Sequence, residues 1–334
     1  MRTGVLLVNL GTPNSPSTAD VRTYLSEFLN DPRVIDIPMI LRKLLVNLII
    51  VPFRSPKSAK IYQKLWTKDG SPLLIHGNAV KDKLQQSLSA EYEVFLAMRY
   101  QNPSLDTVLA VMQKRNFDKV IVLPLFPQYA SSSTGSALER VMQIISKWYV
   151  IPELKFISQY YNSPGYIQAF AERGRQYNLA DYDHILFSYH GLPVRQVDKV
   201  YGDSPCSEHH CEDHIDDDNK FCYKATCYET TRLIAKQLNL APEQYSVAFQ
   251  SRLDKKWLEP FSDKVVIQKA KEGAKKMLVF SPAFVADCLE TTIEIGEEYN
   301  ELFKEHGGEK VQLVESLNAH PIWINTLKEL VEKN

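Results

Sequence analysis

Short aliphatic and aromatic runs recur along the chain: "VLLVNL", "YEVFLAM", "KVIVLPL", "HILFSY", "QYSVAFQ", "KMLVFS" and "KVQLVE". They predict strands over Val5 to Leu10, Tyr92 to Met98, Lys119 to Leu125, His184 to Tyr189, Gln244 to Gln250, Lys276 to Ser281 and Lys310 to Glu315. The stretches between them place apolar residues at helical spacing, and that alternation is the mark of parallel βα units. The expectation is a doubly wound α/β architecture. At 334 residues the chain has room for two domains. The change of domain is expected around residues 145 to 155, giving 1–150 and 151–334, with "HPIWINTLKELVEKN" as a closing helix.

Four of the strands run straight into a loop that carries proline: "LLVNLGTP", "IVLPLFPQY", "ILFSYHGLP" and "MLVFSPAF". Open parallel sheets bind ligands beyond the carboxyl ends of their strands, so these loops are expected to line one crevice. Candidate chemistry therefore falls on Asn9, on Tyr129 with Ser131 to Thr134, on His190, and on the acidic segment after Phe284. The first loop has neither G-x-G-x-x-G nor a P-loop, which disfavours a nucleotide. Ser17 or Thr18 followed by Asp20 reads as a helix cap.

Charge narrows the partners. With 39 basic and 40 acidic side chains the formal net charge is -1, so a nucleic-acid partner is not expected and small molecules or proteins are. The opening "MRTGVLLVNLGTPNSP" does not read as a secretory signal. No apolar run reaches the roughly 20 residues of a spanning helix. The nearest is "IPMILRKLLVNLIIVPF", 37–53, interrupted by Arg42 and Lys43 and followed by Arg54, Lys57 and Lys60. Such a mixture suits a helix lying in a membrane interface, with cations among the headgroups. It equally suits a buried helix with one solvated edge.

The local charge is less even. "ADCLETTIEIGEEYNEL" carries Asp287, Glu290, Glu294, Glu297, Glu298 and Glu301 without a lysine or arginine. On an α-helix from about 286 to 305, stopped by Gly307 and Gly308, these acids fall within an arc of about 100°. A solvated face would normally mix in lysines, because like charges one turn apart repel. A carboxylate ladder instead suits the passage of a divalent cation over oxygen ligands. His190, at the end of "ILFSY" and before Gly191 and Pro193, is placed to accept protons or ligate a metal.

Of five cysteines, four cluster: Cys206, Cys211, Cys222 and Cys227, in the pattern C-x4-C-x10-C-x4-C within about 204–227. A cluster of this kind points to metal or redox chemistry, and thiolates in this number suit an iron–sulfur cluster or zinc, with His209, His210 and His214 as alternative zinc ligands.

Taken in order, "GVLLVNLGTP", "GSPL", "LPLFPQYASSSTGS", "SYHGLP", "FQSRLDKKWLEP" and "ADCLETTIEIGEE" resemble the ferrochelatases of haem biosynthesis, especially the Gram-negative type. The resemblance covers nearly the whole chain. It implies the chelatase fold, two similar Rossmann-like domains each with a parallel sheet flanked by helices. It also implies insertion of Fe2+, the substrate metal, into protoporphyrin IX with release of two protons. By position His190 matches the family's active-site histidine, Glu290 its facing glutamate, and Glu294 and Glu298 the acids further along the same helix, so these four are the expected iron-handling groups. Arg99, Tyr100 and Ser71 match positions near the porphyrin or its propionates, and Tyr129 and Trp257 suit packing on the macrocycle. The segment 37–53 corresponds to a lip of the active-site cleft, which implies a cytoplasmic enzyme with peripheral contact to the inner membrane.

The cysteine segment resembles an insertion relative to the simplest Gram-negative members and implies a 2Fe-2S cluster on Cys206, Cys211, Cys222 and Cys227, with zinc as the alternative. Animal members draw most of their cluster ligands from a C-terminal extension, so these positions do not carry over one by one. Cys288 stands where animal members have histidine and Gram-negative ones cysteine, and Leu10 where coproporphyrin-using relatives carry tyrosine. Competing expectations are a chelatase for coproporphyrin III or cobalt, and a porphyrin-binding protein without catalysis.

Overall fold

The computed structural model describes residues 1–202 and 204–334. The chain forms two compact units: residues 1–126, 130–158 and 324–334 make the first, and residues 127–129 and 159–323 the second.

In the first unit, β1 (Thr3–Gly11), β2 (Tyr92–Tyr100), β3 (Lys119–Pro124) and β4 (Glu153–Phe156) form a parallel sheet in the order β2-β1-β3-β4. Leu6 lies opposite Phe95 on one side and Val122 on the other. Such strands are buried on both faces by the crossover helices, which is why they read as unbroken aliphatic runs. Leu6, Val8, Val120 and Val122 pack with Leu109, Met112, Ala137 and Val141 from the helices Leu105–Lys114 and Ser136–Ile145. Gly11 ends β1 with φ +120°, and a Cβ there would lie 2.0 Å from the Tyr100 carbonyl oxygen, so only glycine lets the two strand ends lie this close.

The second unit repeats the order with β5 (His184–His190), β6 (Tyr245–Gln250), β7 (Lys276–Phe280) and β8 (Lys310–Leu313), arranged β6-β5-β7-β8 and again all parallel. Its core joins Leu186, Ala248, Met277 and Val279 to Val266, Ile295, Tyr299 and Phe303. Two helices bear on the chemistry: Tyr223–Leu238, whose N-cap is Cys222, and the segment Glu290–Tyr299, a π-helix that continues as the α-helix Asn300–Glu305.

Several expectations shift. β4, "ELKF", is a further strand that the sequence reading placed inside the domain change; it alternates exposed and half-buried residues at a sheet edge, so it lacks the aliphatic run that marks its neighbours. The first unit consequently extends to residue 158 and takes in residues 324–334, the greater part of the helix Pro321–Glu332, rather than ending at 150. The acidic helix begins near Leu289 rather than Ala286 and is π-helical over ten residues, while its C-terminal stop is as expected, with Gly307 at φ +101°.

Candidate active site and metal centre

His190 is the last residue of β5, and the main chain around it is held from two sides. Its carbonyl accepts from the Tyr223 hydroxyl (2.9 Å), and the next peptide, Gly191 N, donates to the Gln250 carbonyl (2.8 Å). A Cβ on Gly191 would sit 2.8 Å from that oxygen and 3.3 Å from the Trp257 ring, so glycine is what allows the loop to close over the strand end. The imidazole Nδ1 lies 2.6 Å from the Gly191 carbonyl oxygen. A carbonyl only accepts, so Nδ1 carries the proton and Nε2 of the neutral ring keeps its lone pair. Trp257 and Phe284 flank the ring at tilts of 49° and 58° with centroids at 6.3 and 6.4 Å, apolar neighbours for a proton acceptor.

The acidic segment divides into groups in different states. Glu294 is tied down: Oε1 accepts from Ser251 N (2.9 Å) and Tyr299 OH (3.1 Å), and Oε2 from Gln250 Nε2 (3.1 Å) and the Ser251 hydroxyl. Ser251 reaches this carboxylate from a left-handed backbone, φ +62°. Burial, then the Glu294 charge, push the Tyr299 hydroxyl pKa up, which keeps it a donor. Glu290 is half-buried, and its main-chain carbonyl accepts from Gln250 Nε2 (2.9 Å). Beside it the buried Cys288 thiol is pushed up in pKa by desolvation first and by the Glu290 carboxylate second, so Cys288 stays protonated. Glu297, Glu298 and Glu301 are exposed.

In the first unit, Arg99 and Tyr100 end β2 over a buried carboxylate that the sequence reading did not single out. Asp31 Oδ2 accepts from Arg99 Nη2 (2.6 Å), Ser136 Oγ (2.6 Å) and Tyr100 OH (2.9 Å), and Oδ1 from Arg33 N (2.7 Å). Burial raises the Asp31 carboxyl, but the Ser136 hydroxyl, the Arg33 N–H and the Arg99 charge together hold it below its ordinary value. Tyr100 is fully buried, so it supports Arg99 from beneath instead of lying open to a ligand. Ser71 is buried too, its hydroxyl 2.9 Å from that of Thr12; both border a cavity of about 270 Å³ just past the ends of β1 and β2, with Trp66 and Asn102 on its wall. Tyr129, in the second unit, is half-buried and meets Phe221 edge to face.

The thiols of Cys206, Cys211 and Cys222 lie 3.4, 3.5 and 3.6 Å from one another, all three buried and none in a disulfide. Hydrogen bonds from Cys206 and then Cys211 draw the Cys222 thiol well below its ordinary value, so it is the first of the three to ionise. Tyr201 OH lies 3.1 Å from Cys211 Sγ, and its ring stacks on His209 at 3.7 Å. Cys227 is not part of this group: its side chain is fully buried next to Tyr223, and desolvation raises its pKa. Three of the four expected thiols therefore converge.

Comparison with known proteins follows the same lines. The ferrochelatase family profile matches residues 2–334. The chain belongs to the ferrochelatase family. It is 46% identical over 334 residues to a ferrochelatase of Legionella pneumophila, covering 100% of this chain and 99% of that one. It is 44% identical over 339 aligned residues to one of Coxiella burnetii, covering 99% and 93%. It is an enzyme of haem biosynthesis that inserts iron into a porphyrin. In fold it resembles the solved SirB from Bacillus subtilis with Fe3+, at a TM-score of 0.57 and 12% identity over 100% of this chain and 95% of that one. It also resembles the sirohydrochlorin chelatase SirB from Bacillus subtilis subspecies spizizenii in complex with cobalt, at 0.56 and 12% over the same shares.

Among the described residues of this ferrochelatase no helix is long and apolar enough to cross a membrane. The segment 37–53 is nonetheless apolar on the outside. It runs through Met39–Leu44, a π-turn at Leu45–Ile50 and Val51–Leu65. The π-turn stands just before Pro52, which has no N–H to give the preceding turn. Val46, Val51 and Ala59 face inward, while Met39, Ile40, Leu41, Leu44, Leu48, Ile49 and Phe53 are exposed, Ile40 to 70% and Phe53 to 73%. Arg42 departs from its expected place among headgroups. It is only 8% exposed, and its guanidinium donates to the carbonyls of Ile35 (3.3 Å) and Ile37 (2.9 Å), which leaves the outer face more apolar than the sequence suggests.

Proposed function

We propose that the enzyme inserts Fe2+ into protoporphyrin IX, with His190 Nε2 accepting the two pyrrole protons in turn, each passed on to water before the next is taken, and Glu290 as its partner carboxylate. The observation that carries this is the hydrogen bond from His190 Nδ1–H to the Gly191 carbonyl, which leaves Nε2 as a base with apolar neighbours. Pyrrole nitrogens in a flat macrocycle hold their protons tightly. Binding the ring distorted, with iron approaching one face and a base the other, lowers the barrier because those contacts strengthen only as the protons leave. Arg99, fixed by Asp31 with Tyr100 beneath it, is the cation for a propionate, and Ser71, bordering the cavity past the ends of β1 and β2, is a further polar contact for the porphyrin. Tyr129 and Trp257 are the surfaces for the macrocycle, and exposed Glu298 offers iron a first carboxylate. Leu10, apolar where coproporphyrin users carry tyrosine, supports protoporphyrin. Anaerobic assays with protoporphyrin IX and coproporphyrin III in parallel, and with Fe2+ and Co2+, test the choice. Higher kcat/KM for protoporphyrin IX with Fe2+ is expected, and preference for coproporphyrin III or Co2+ would overturn it.

We also propose that the enzyme is cytoplasmic and lies peripherally on the inner membrane through the segment 37–53. Exposed apolar patches of this kind rimmed by lysine and arginine insert at a lipid surface. Flotation with vesicles containing anionic lipid is expected to carry the wild type up and to leave Ile40→Asp/Phe53→Asp behind. Wild-type protein remaining at the bottom would refute it.

For the thiols we propose a 2Fe-2S cluster, with Cys206, Cys211 and Cys222 supplying three ligands and Cys227, which in this structure turns toward Tyr223, the fourth once its side chain swings round to meet them. When bound, such a cluster supplies a one-electron couple and cross-links the 204–227 segment. One observation favours zinc instead: the mutual spacing of 3.4 to 3.6 Å is close to the edge of a tetrahedron of Zn–S bonds, about 3.8 Å. Metal content and the resting visible spectrum of anaerobically purified protein decide between them. About two irons per chain with visible absorption is the expected result; stoichiometric zinc in a colourless protein would replace the cluster.

A further inference from the structure

We infer that Gln250 is a positioning residue for the catalytic pair, holding the turn that carries Glu290 to the strand end that carries His190. The inference rests on the roles proposed above for those two residues. Gln250 closes β6 directly opposite His190 in the parallel register and is 1% exposed. Its amide can be oriented from its partners. Nε2 meets the Glu290 carbonyl (2.9 Å) and Glu294 Oε2 (3.1 Å), groups that only accept, so the nitrogen must face them and Oε1 must face Ser188. Ser188 Oγ then donates to Gln250 Oε1 (2.8 Å), which obliges Ser262 to donate to Ser188 (2.8 Å). A one-way chain of hydrogen bonds thus runs from Ser262 through Ser188 and Gln250 into the Glu290 turn, and every donor in it is buried.

Glu294 is the anchor of this clamp. An ionised carboxylate offers about four acceptor sites, and here four donors fill them: Gln250, Ser251 twice, and Tyr299. Saturated in this way, Glu294 fixes the helix and leaves Glu290 to meet the substrate. The Gln250 peptide oxygen also accepts from Gly191 N, so one residue touches both halves of the pair.

The test compares Gln250→Leu and Gln250→Glu with wild type and His190→Ala, in anaerobic turnover from pH 5.5 to 8.5, alongside thermal unfolding. Gln250→Leu is expected to lower kcat about 10- to 100-fold with the porphyrin KM unchanged, the scale of misplacing a catalytic group. Gln250→Glu is expected to lose as much at high pH, where a further carboxylate faces Glu294. Relative to wild type it regains kcat as the pH falls and the new carboxyl protonates, because it can then donate again. That recovery is not expected of a residue that only packs. Wild-type kcat in Gln250→Leu, a change in KM alone, or no acid recovery in Gln250→Glu while His190→Ala is inactive would overturn the inference by itself. Turnover retained by His190→Ala would instead remove the pair, and the inference with it.

Discussion

His190→Ala loses iron insertion by about 10²- to 10⁴-fold, the range for deleting a positioned general base, and keeps its fold. The loss follows from Nε2 being the unprotonated nitrogen of a ring whose Nδ1–H is already given to Gly191. The fold is spared because what holds this strand end is main chain. The Tyr223 hydroxyl still finds the carbonyl of residue 190, and Gly191 N still finds Gln250 O. Unchanged thermal unfolding with porphyrin still bound is therefore expected beside the lost turnover. Near-normal haem formation in the variant would remove His190 as the proton acceptor.

Asp31→Ala is destabilised by about 3 to 5 kcal/mol, the cost of removing one partner of a buried ion pair. Its loss leaves the Arg99 guanidinium, the Tyr100 hydroxyl and the Ser136 hydroxyl facing a cavity in which only water could replace the carboxylate. The pH dependence has a definite sign. The folded-state pKa of Asp31 lies below its ordinary 3.8, so its contribution is complete above about pH 4 and is lost as the pH falls through the folded value. Denaturant unfolding at pH 7 and at pH 3 should show the gap between wild type and variant narrowing in acid. A pH-independent gap, or one below about 1 kcal/mol at pH 7, would mean that Asp31 is not what holds Arg99.

The sheets were the most legible part of the chain. Buried parallel strands leave short aliphatic runs, and among the described residues seven of the eight strands carry one, the edge strands β2, β6 and β8 included; β4 escaped because "ELKF" alternates exposed and half-buried residues. Cys206, Cys211 and Cys222 were also legible, since spacing alone suggested convergence, but the inward turn of Cys227 toward Tyr223 depends on the helix phase after Cys222. The six acids were read as one stripe on an α-helix. The π-helical turn changes which of them share a face, and the donors that occupy Glu294 include Ser251 and Gln250, far away in sequence. Gln250 sat in plain view in "FQSR" as the last residue of a strand, yet a neutral amide carries no chemical signal until its partners are known. Asp31 was hidden for the same reason: its partners arrive from residues 99, 100 and 136. Arg42 shows the converse, a charge that spacing assigned to solvent and that the preceding carbonyls turned inward.

The central claim is that His190 and Glu290 act on the bound porphyrin rather than in binding it. Enzyme preloaded with protoporphyrin IX and mixed anaerobically with Fe2+ in a stopped-flow cell separates the two, with His190→Ala and Glu290→Gln run beside the wild type. Equal porphyrin binding in all three, with fast metal insertion in the wild type alone, is the result predicted. Insertion at the wild-type rate in either variant would contradict it.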